Sequence, residues 1–199
     1  MSEARFGPGG IPDWLEPTFR FCSRCGGVLA FGPVEDEERS RLACPNCGFV
    51  CYVNPRLVVT TLPITDRGEV ILIKRGIAPG LGQWAQPGGF LEIDETVRDA
   101  AIRETLEETG LRVEPGAIVG LYSRVQAAVA VVAYEARIVG GAPTITREAL
   151  EIRPFTPEAI PWREIAFETS VRALRDWVAG VRPDLPLPDL STIHRPFGA

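Results

Sequence analysis

Apolar and polar positions along this chain fall into two regimes that meet near residue 52. Before it, apolar residues are scattered among charges, prolines and glycines; after it, strand-like and helix-like periods alternate. Leu57 to Leu62 is β-branched and apolar, Asp66-Arg67-Gly68 is a turn, and Glu69 to Lys74 is a second strand-like run, so the pattern predicts a hairpin. Residues 79–89, rich in glycine and proline around Trp84, read as a loop that passes close to another group. A helix is predicted from an N-cap near Asp94 through Glu95 to Thr109, with Gly110 as its stop. Val97, Ala101, Ile102, Thr105 and Leu106 are its expected sheet-facing side. Strands are then expected over Val113 to Tyr122 and over Ala127 to Ile138, the second with both faces buried. Thr169 to Ala179 carries Val171, Leu174, Trp177 and Val178 as the stripe of a packed amphipathic helix. The chain thus divides into an N-terminal extension (1–20), a small cysteine unit (21–52), an α/β domain (53–180) and a proline-rich tail (181–199).

With 45% apolar and 24% charged residues, the composition is that of a globular protein. The longest apolar run, Val125 to Tyr134, contains Gln126 and is too short to span a bilayer, and Met1 to Leu15 has no signal-peptide pattern, so the expected location is the cytoplasm. Lys and Arg number 21 against 26 Asp and Glu, a net charge of -5, which disfavours nonspecific binding to nucleic acid or an anionic membrane. A polyanionic substrate would need a bridging cation. His194 is the single histidine, six residues from the end, so chemistry falls to carboxylates and cysteines.

All five cysteines precede residue 52. Four form Cys22-x2-Cys25 and Cys44-x2-Cys47, with 18 residues between the pairs. That spacing is a zinc-ribbon signature, and Gly26 and Gly48, just after each pair, permit the turns that aim the sulfurs inward. The alternative, a disulfide framework, needs an oxidising compartment. Zinc would act as a staple, because about 30 residues bury too little core to fold alone. Four consecutive acidic residues, Glu35 to Glu38, lie between the pairs and would repel nucleic-acid phosphates. Cys51 is expected to be a plain buried residue.

Glu104, Glu107 and Glu108 fall at i, i+3 and i+4 of the predicted helix, so three carboxylates share one face within a turn. Taken alone, the triplet could be a solvated acidic face. Like charges at this spacing repel, however, and an all-oxygen set suits magnesium or manganese, ions that also bind substrate phosphates.

From Gly89 through Glu95 to Arg103-Glu104-Thr105-Leu106-Glu107-Glu108-Thr109-Gly110-Leu111, the chain follows G-x5-E-x7-R-E-U-x-E-E-x-G-U. This resembles the Nudix box, with Thr105 in place of the usual aliphatic residue. The resemblance implies a Nudix hydrolase: an α/β/α sandwich with a mixed sheet, preceded here by a small zinc ribbon, hydrolysing a nucleoside diphosphate linked to another group. By that likeness Glu104, Glu107 and Glu108 are ligands of Mg2+ or Mn2+, Arg103 and Glu95 orient them, and Gly89 lets the loop backbone approach.

Within the family, the order of ribbon, Asn54-Pro55 linker and box, together with Glu148 to Phe155 and Thr192 to Pro196, is similar to the plant plastid branch acting on FAD and ADP-ribose. Products would be AMP plus FMN or ribose 5-phosphate. The NADH pyrophosphatase and NAD-cap branch also carries a four-Cys ribbon, but its S-Q-P-W-P-F-P segment has no counterpart between Leu111 and Ala199. A non-catalytic dinucleotide-binding regulator is opposed by the complete set of box carboxylates. The likeness further suggests Glu151 as an added ligand or base, its alternative being a surface residue beside a strand. Lys74 and Arg75 are candidate phosphate contacts or simple flanks of a strand. Gln86 stands where the family's W-x-L-P-G-G has leucine, and Phe90 reads as packing. A homodimer is compatible with the family; a membrane partner is not expected.

Overall fold

In a computed structural model, which describes residues 5–7 and 10–183, the chain forms two sheets and two α-helices. The tail beyond 183, with His194 and the Thr192 to Pro196 segment, lies outside the described residues.

The ribbon is a three-stranded antiparallel sheet of β1 (Ala30–Gly32), β2 (Arg41–Ala43) and β3 (Val50–Cys51). Each cysteine pair sits on a tight turn closed by a backbone bond, Gly26 N–H to the Cys22 carbonyl at 2.8 Å and Gly48 N–H to that of Cys44 at 2.9 Å. Both glycines have positive φ, 73° and 71°, the left-handed backbone that lets the turn reverse. Cys51 is half-buried rather than fully buried.

The larger sheet runs β10 (Ala149–Phe155), β5 (Val70–Arg75), β4 (Arg56–Ile64), β9 (Val129–Gly141) and β8 (Leu111–Arg124) in spatial order. It is mixed: β4 pairs parallel with β9, whereas β8 and β9 are antiparallel. The expected hairpin of β4 and β5 holds only beside its turn, where Ile64 pairs with Val70. Beyond that point the two strands part. The segment expected as a loop threads between them as β6 (Trp84–Ala85), which pairs with β5, and β7 (Gly88–Phe90), which pairs with β4. Two-residue and three-residue strands interrupted by Pro87 leave no period-2 signal, which is why the pattern reads as a loop.

Helix α1 (Val97–Thr109) starts two residues later than Asp94 would have it. Thr96 is the N-cap, in a reciprocal capping box with Asp99, and Asp94 falls in the preceding turn. Gly110, at φ 72°, closes the helix and donates to the Leu106 carbonyl. Leu106 is 44% exposed and does not pack on the sheet. The buried face is Ala100, Ala101, Thr105, Glu108 and Thr109. Thr105 does more than fill an aliphatic position: its hydroxyl donates to the Ala101 carbonyl at 2.7 Å and meets that of Thr61 at 2.6 Å.

Alternation along β4 assigns the two sides of the sheet. Val59 packs with α1, while Val58 and Leu62 belong to the larger core under α2 (Glu168–Val178), with Leu72, Trp84, Val131 and Leu174. Val178, at the end of the expected stripe, is exposed instead. One helix on each face of a mixed sheet is the α/β/α arrangement. Among the described residues no helix is long and apolar enough to cross a membrane.

Candidate active site and metal centres

The first centre is in the ribbon. Cys22, Cys25, Cys44 and Cys47 place their sulfurs within 4.8 Å of one another, with Cys22 to Cys47 at 3.7 Å and Cys25 to Cys44 at 3.4 Å. A tetrahedral ion with metal–sulfur bonds of about 2.3 Å needs sulfur–sulfur edges of about 3.8 Å. The cage therefore fits zinc, and a four-sulfur shell leaves no open position for a reacting group.

The second centre lies where β7 runs against α1. Arg103 is its hub: Nε and Nη2 grip Glu95 at 2.9 and 2.6 Å, Nη1 donates to Glu104 at 2.7 Å and to Glu107 at 3.1 Å, and Nη2 also donates to the Phe90 carbonyl at 3.1 Å. This bidentate pairing holds Glu95 down to about 2. Glu95 first, then Glu104 and Glu107, shift Arg103 in the opposite sense and keep its guanidinium charged. Gly89 makes the close approach between loop and helix. A Cβ there would stand 2.5 Å from the Glu104 carboxylate.

Glu108 differs from its neighbours. It is 6% exposed, and its Oε2 accepts from the Gly88 N–H at 2.7 Å. Burial pushes its carboxyl up to about 7; the Gly88 N–H and Arg75 oppose this, and the Glu104 and Glu148 charges add to it. Burial also raises Glu104, against the pull of Arg103. A buried carboxyl crowded by like charges is a site that a cation would stabilise. Glu107 is turned to the exposed side against Arg103, and among the described residues the helix carboxylates are not drawn together as tightly as the sulfurs.

Glu104 and Glu108 face a cleft of about 670 Å³. Glu92 and Glu148 add two further carboxylates to its lining, its basic residues are Arg56, Arg75 and Arg124, and Val58, Val129 and Val131 are apolar residues of its wall. Trp14, Phe90 and Phe167 supply aromatic walls. Arg56 lies 4.3 Å over the Phe90 ring and Arg75 5.0 Å over Phe167. Trp14 comes from the N-terminal extension and is tied down by its Nε1–H to the Gln126 carbonyl at 3.1 Å.

Of the residues singled out in the sequence, Glu95, Arg103, Glu104, Glu107, Glu108 and Gly89 are thus brought together. Glu151 is not: it is paired with Lys74 and Arg153 and lies outside the cleft lining. Glu148, three residues earlier, lines the cleft, and β10 carries a register shift between Ala149 and Glu151. Lys74 likewise turns to Glu151 and the Trp84 ring, leaving Arg75 as the cleft's cation from this strand.

The NUDIX domain family matches residues 54–177, and the family described as Nudix N-terminal, a zinc ribbon, matches residues 20–53. The chain belongs to the NUDIX family. A NUDIX hydrolase structure from Nitrosomonas europaea is 37% identical, with a TM-score of 0.71, covering 78% of this chain and 88% of that one. An ADP-ribose pyrophosphatase of Methanocaldococcus jannaschii is 42% identical over 72 residues, 36% of this chain and 42% of the relative. The NAD-capped RNA hydrolase NudC of Pseudomonas aeruginosa (strain LESB58) is 34% identical over 94 residues, 47% of this chain and 32% of the relative. The chain spans between 32% and 66% of the length of such curated NUDIX relatives.

Proposed function

We propose that the protein is a divalent-cation-dependent pyrophosphohydrolase that cleaves the diphosphate of ADP-ribose or FAD, giving AMP plus ribose 5-phosphate or FMN. The observation that carries this reading is the make-up of the cleft: the carboxylates Glu104, Glu108 and Glu148 line it together with Arg56, Arg75 and Arg124 and with valines and aromatic rings. A metal-bound diphosphate linked to a flat ring calls for the same set of chemistries. Similarity to an ADP-ribose pyrophosphatase and the likeness to the FAD/ADP-ribose branch support the substrate class.

Glu104, Glu107 and Glu108 would hold Mg2+ or Mn2+, an oxygen-only set suited to hard cations. Such an ion, when bound, neutralises charge on the non-bridging phosphate oxygens and makes a water acidic enough to react near neutral pH. Arg103, pinned by Glu95, fixes where Glu104 and Glu107 point. Arg75, held by the Pro79 carbonyl at 2.8 Å, offers its remaining N–H groups to a phosphate. Glu148 is anchored through its own carbonyl, which accepts from the Gly76 N–H at 2.7 Å. Its carboxylate takes the proton as the water oxygen bonds to one phosphorus and the bridging oxygen departs with the other phosphate.

The test compares kcat/KM for ADP-ribose, FAD, NADH and NAD-capped RNA with the zinc-loaded protein in magnesium. A lead of tenfold or more for ADP-ribose or FAD, about 1.4 kcal/mol in transition-state binding, is expected. A lead for NADH or capped RNA would assign the protein to the other ribbon-bearing branch.

A further inference from the structure

Three buried side-chain polar atoms have no hydrogen-bond partner among the described residues, Thr60 Oγ1, Gln86 Oε1 and Gln86 Nε2, and both residues line the candidate active-site cleft. Gln86 is 4% exposed and Thr60 8%. Both residues lie where β4 and β5 part, Thr60 in β4 and Gln86 between β6 and β7. Thr60 pairs with Gly88 in the ladder, the Thr61 N–H donates to the Pro87 carbonyl at 3.0 Å, and Gln86 therefore falls on the same side of the sheet as Thr60. Leaving such atoms unpaired costs stability, and an aliphatic residue at 86 would avoid the cost.

We infer that Gln86, with Thr60, reads the adenine ring of the substrate. The inference deepens the hydrolase reading and rests on it for the substrate class. A carboxamide offers one acceptor and one donor group side by side, the complement of a ring edge on which an amino group adjoins a ring nitrogen. Adenine has that edge twice, as N6 with N7 and N6 with N1, and bidentate pairing of Gln with N6 and N7 is a recurrent way of reading it. The surroundings suit a flat ring, because Val58, Val129 and Val131 line the cleft together with the Phe90 and Phe167 rings. In that setting the carboxamide, with the Thr60 hydroxyl, can give a stacked ring an orientation, and Thr169 and Ser170 are the other hydroxyl residues of the lining. Ring and diphosphate would then share one cleft.

The test is calorimetric binding, in magnesium, of AMP and of purine riboside 5'-monophosphate, which lacks the 6-amino group. Neither ligand contains a diphosphate, so no turnover is required. AMP is expected to bind the native protein about tenfold more tightly than the analogue, the size of one hydrogen bond whose buried partner is left unpaired. Gln86→Leu should bind both ligands equally and AMP about tenfold more weakly, while its melting temperature rises because two unpaired atoms are gone. Thr60→Val should weaken AMP binding with its melting temperature raised or unchanged. Equal binding of the two ligands by the native protein, discrimination that survives in Gln86→Leu, absence of AMP binding at millimolar concentration, or a lower melting temperature or failure to fold of Gln86→Leu would each overturn the inference. Failure of the hydrolase reading has a different signature: amino-group discrimination persists, but no cation-dependent turnover of any dinucleotide is found.

Discussion

Replacing Glu108 by Gln should stabilise the fold while removing its chemistry. The Glu108 carboxyl is 6% exposed, and burial raises it from the ordinary 4.5 to about 7. The folded protein therefore holds a proton that the unfolded chain releases between those two values, and the native protein loses stability as pH rises through that window. A shift of this size corresponds to roughly 3 kcal/mol once pH exceeds about 7. Gln keeps an oxygen for the Gly88 N–H and presents an amide N–H2 toward the Glu104 and Glu148 carboxylates, so part of the full figure, about 1–3 kcal/mol, should appear as a gain. The assay is urea unfolding followed by circular dichroism, with zinc retained and no other divalent ion present. At pH 8 Glu108→Gln should be the more stable protein, and the difference should shrink as pH falls through the window and close about one unit below 4.5, where the native side chain is neutral in both states. Magnesium should reverse the order at pH 8, since a ligand at a hundred times its dissociation constant adds about 2.7 kcal/mol to the protein that binds it. A variant no more stable than the native protein at pH 8 without magnesium would refute the argument that burial and crowding destabilise this carboxylate.

Other outcomes follow from the same contacts. Thr105→Val should cost about 1–3 kcal/mol in urea unfolding by orphaning the Thr61 hydroxyl, and adding Thr61→Val should recover most of the loss, a coupling readable in a double-mutant cycle. Gly89→Ala should leave the melting temperature within a few degrees but displace the Glu104 carboxylate, with magnesium affinity measured by calorimetry falling at least tenfold. Removing zinc with a chelator, or Cys44→Ser, should abolish the protection of ribbon amides from hydrogen exchange while the sheet around Leu72 and Val59 stays protected.

How far the residue pattern reaches depends on the range of the interactions involved. The cysteine cage is legible because each pair lies within a single turn, and the carboxylate face of α1 because its members are i, i+3 and i+4 on one helix. The start of α1 is less so: Asp94 and Thr96 are both good caps, and the choice goes to the residue whose third neighbour, Asp99, can reciprocate. Thr105 resembles a substitution for an aliphatic residue until its partner Thr61, on another element, is known. The parting of β4 and β5 hides behind a hairpin pattern because the inserted β6 and β7 are too short to show a period. That Glu148 rather than Glu151 lines the cleft depends on how β10, with its bulge, is set against β5, which no local pattern shows. The cleft walls are the least legible part, since Trp14, Arg56, Arg124 and Phe167 come from four distant stretches and carry no local signature.

The central claim is that Glu104 and Glu108 act through a divalent cation on a diphosphate. Its most direct test is ADP-ribose turnover by the native protein, Glu104→Gln and Glu108→Gln, with AMP and ribose 5-phosphate quantified across a magnesium titration. The native protein should form the two products in equal amounts and only with the cation, and each variant should fall by at least about a thousandfold, some 4 kcal/mol of transition-state stabilisation, while remaining folded. Cation-independent cleavage, or a folded Glu108→Gln that retains native turnover, would contradict it.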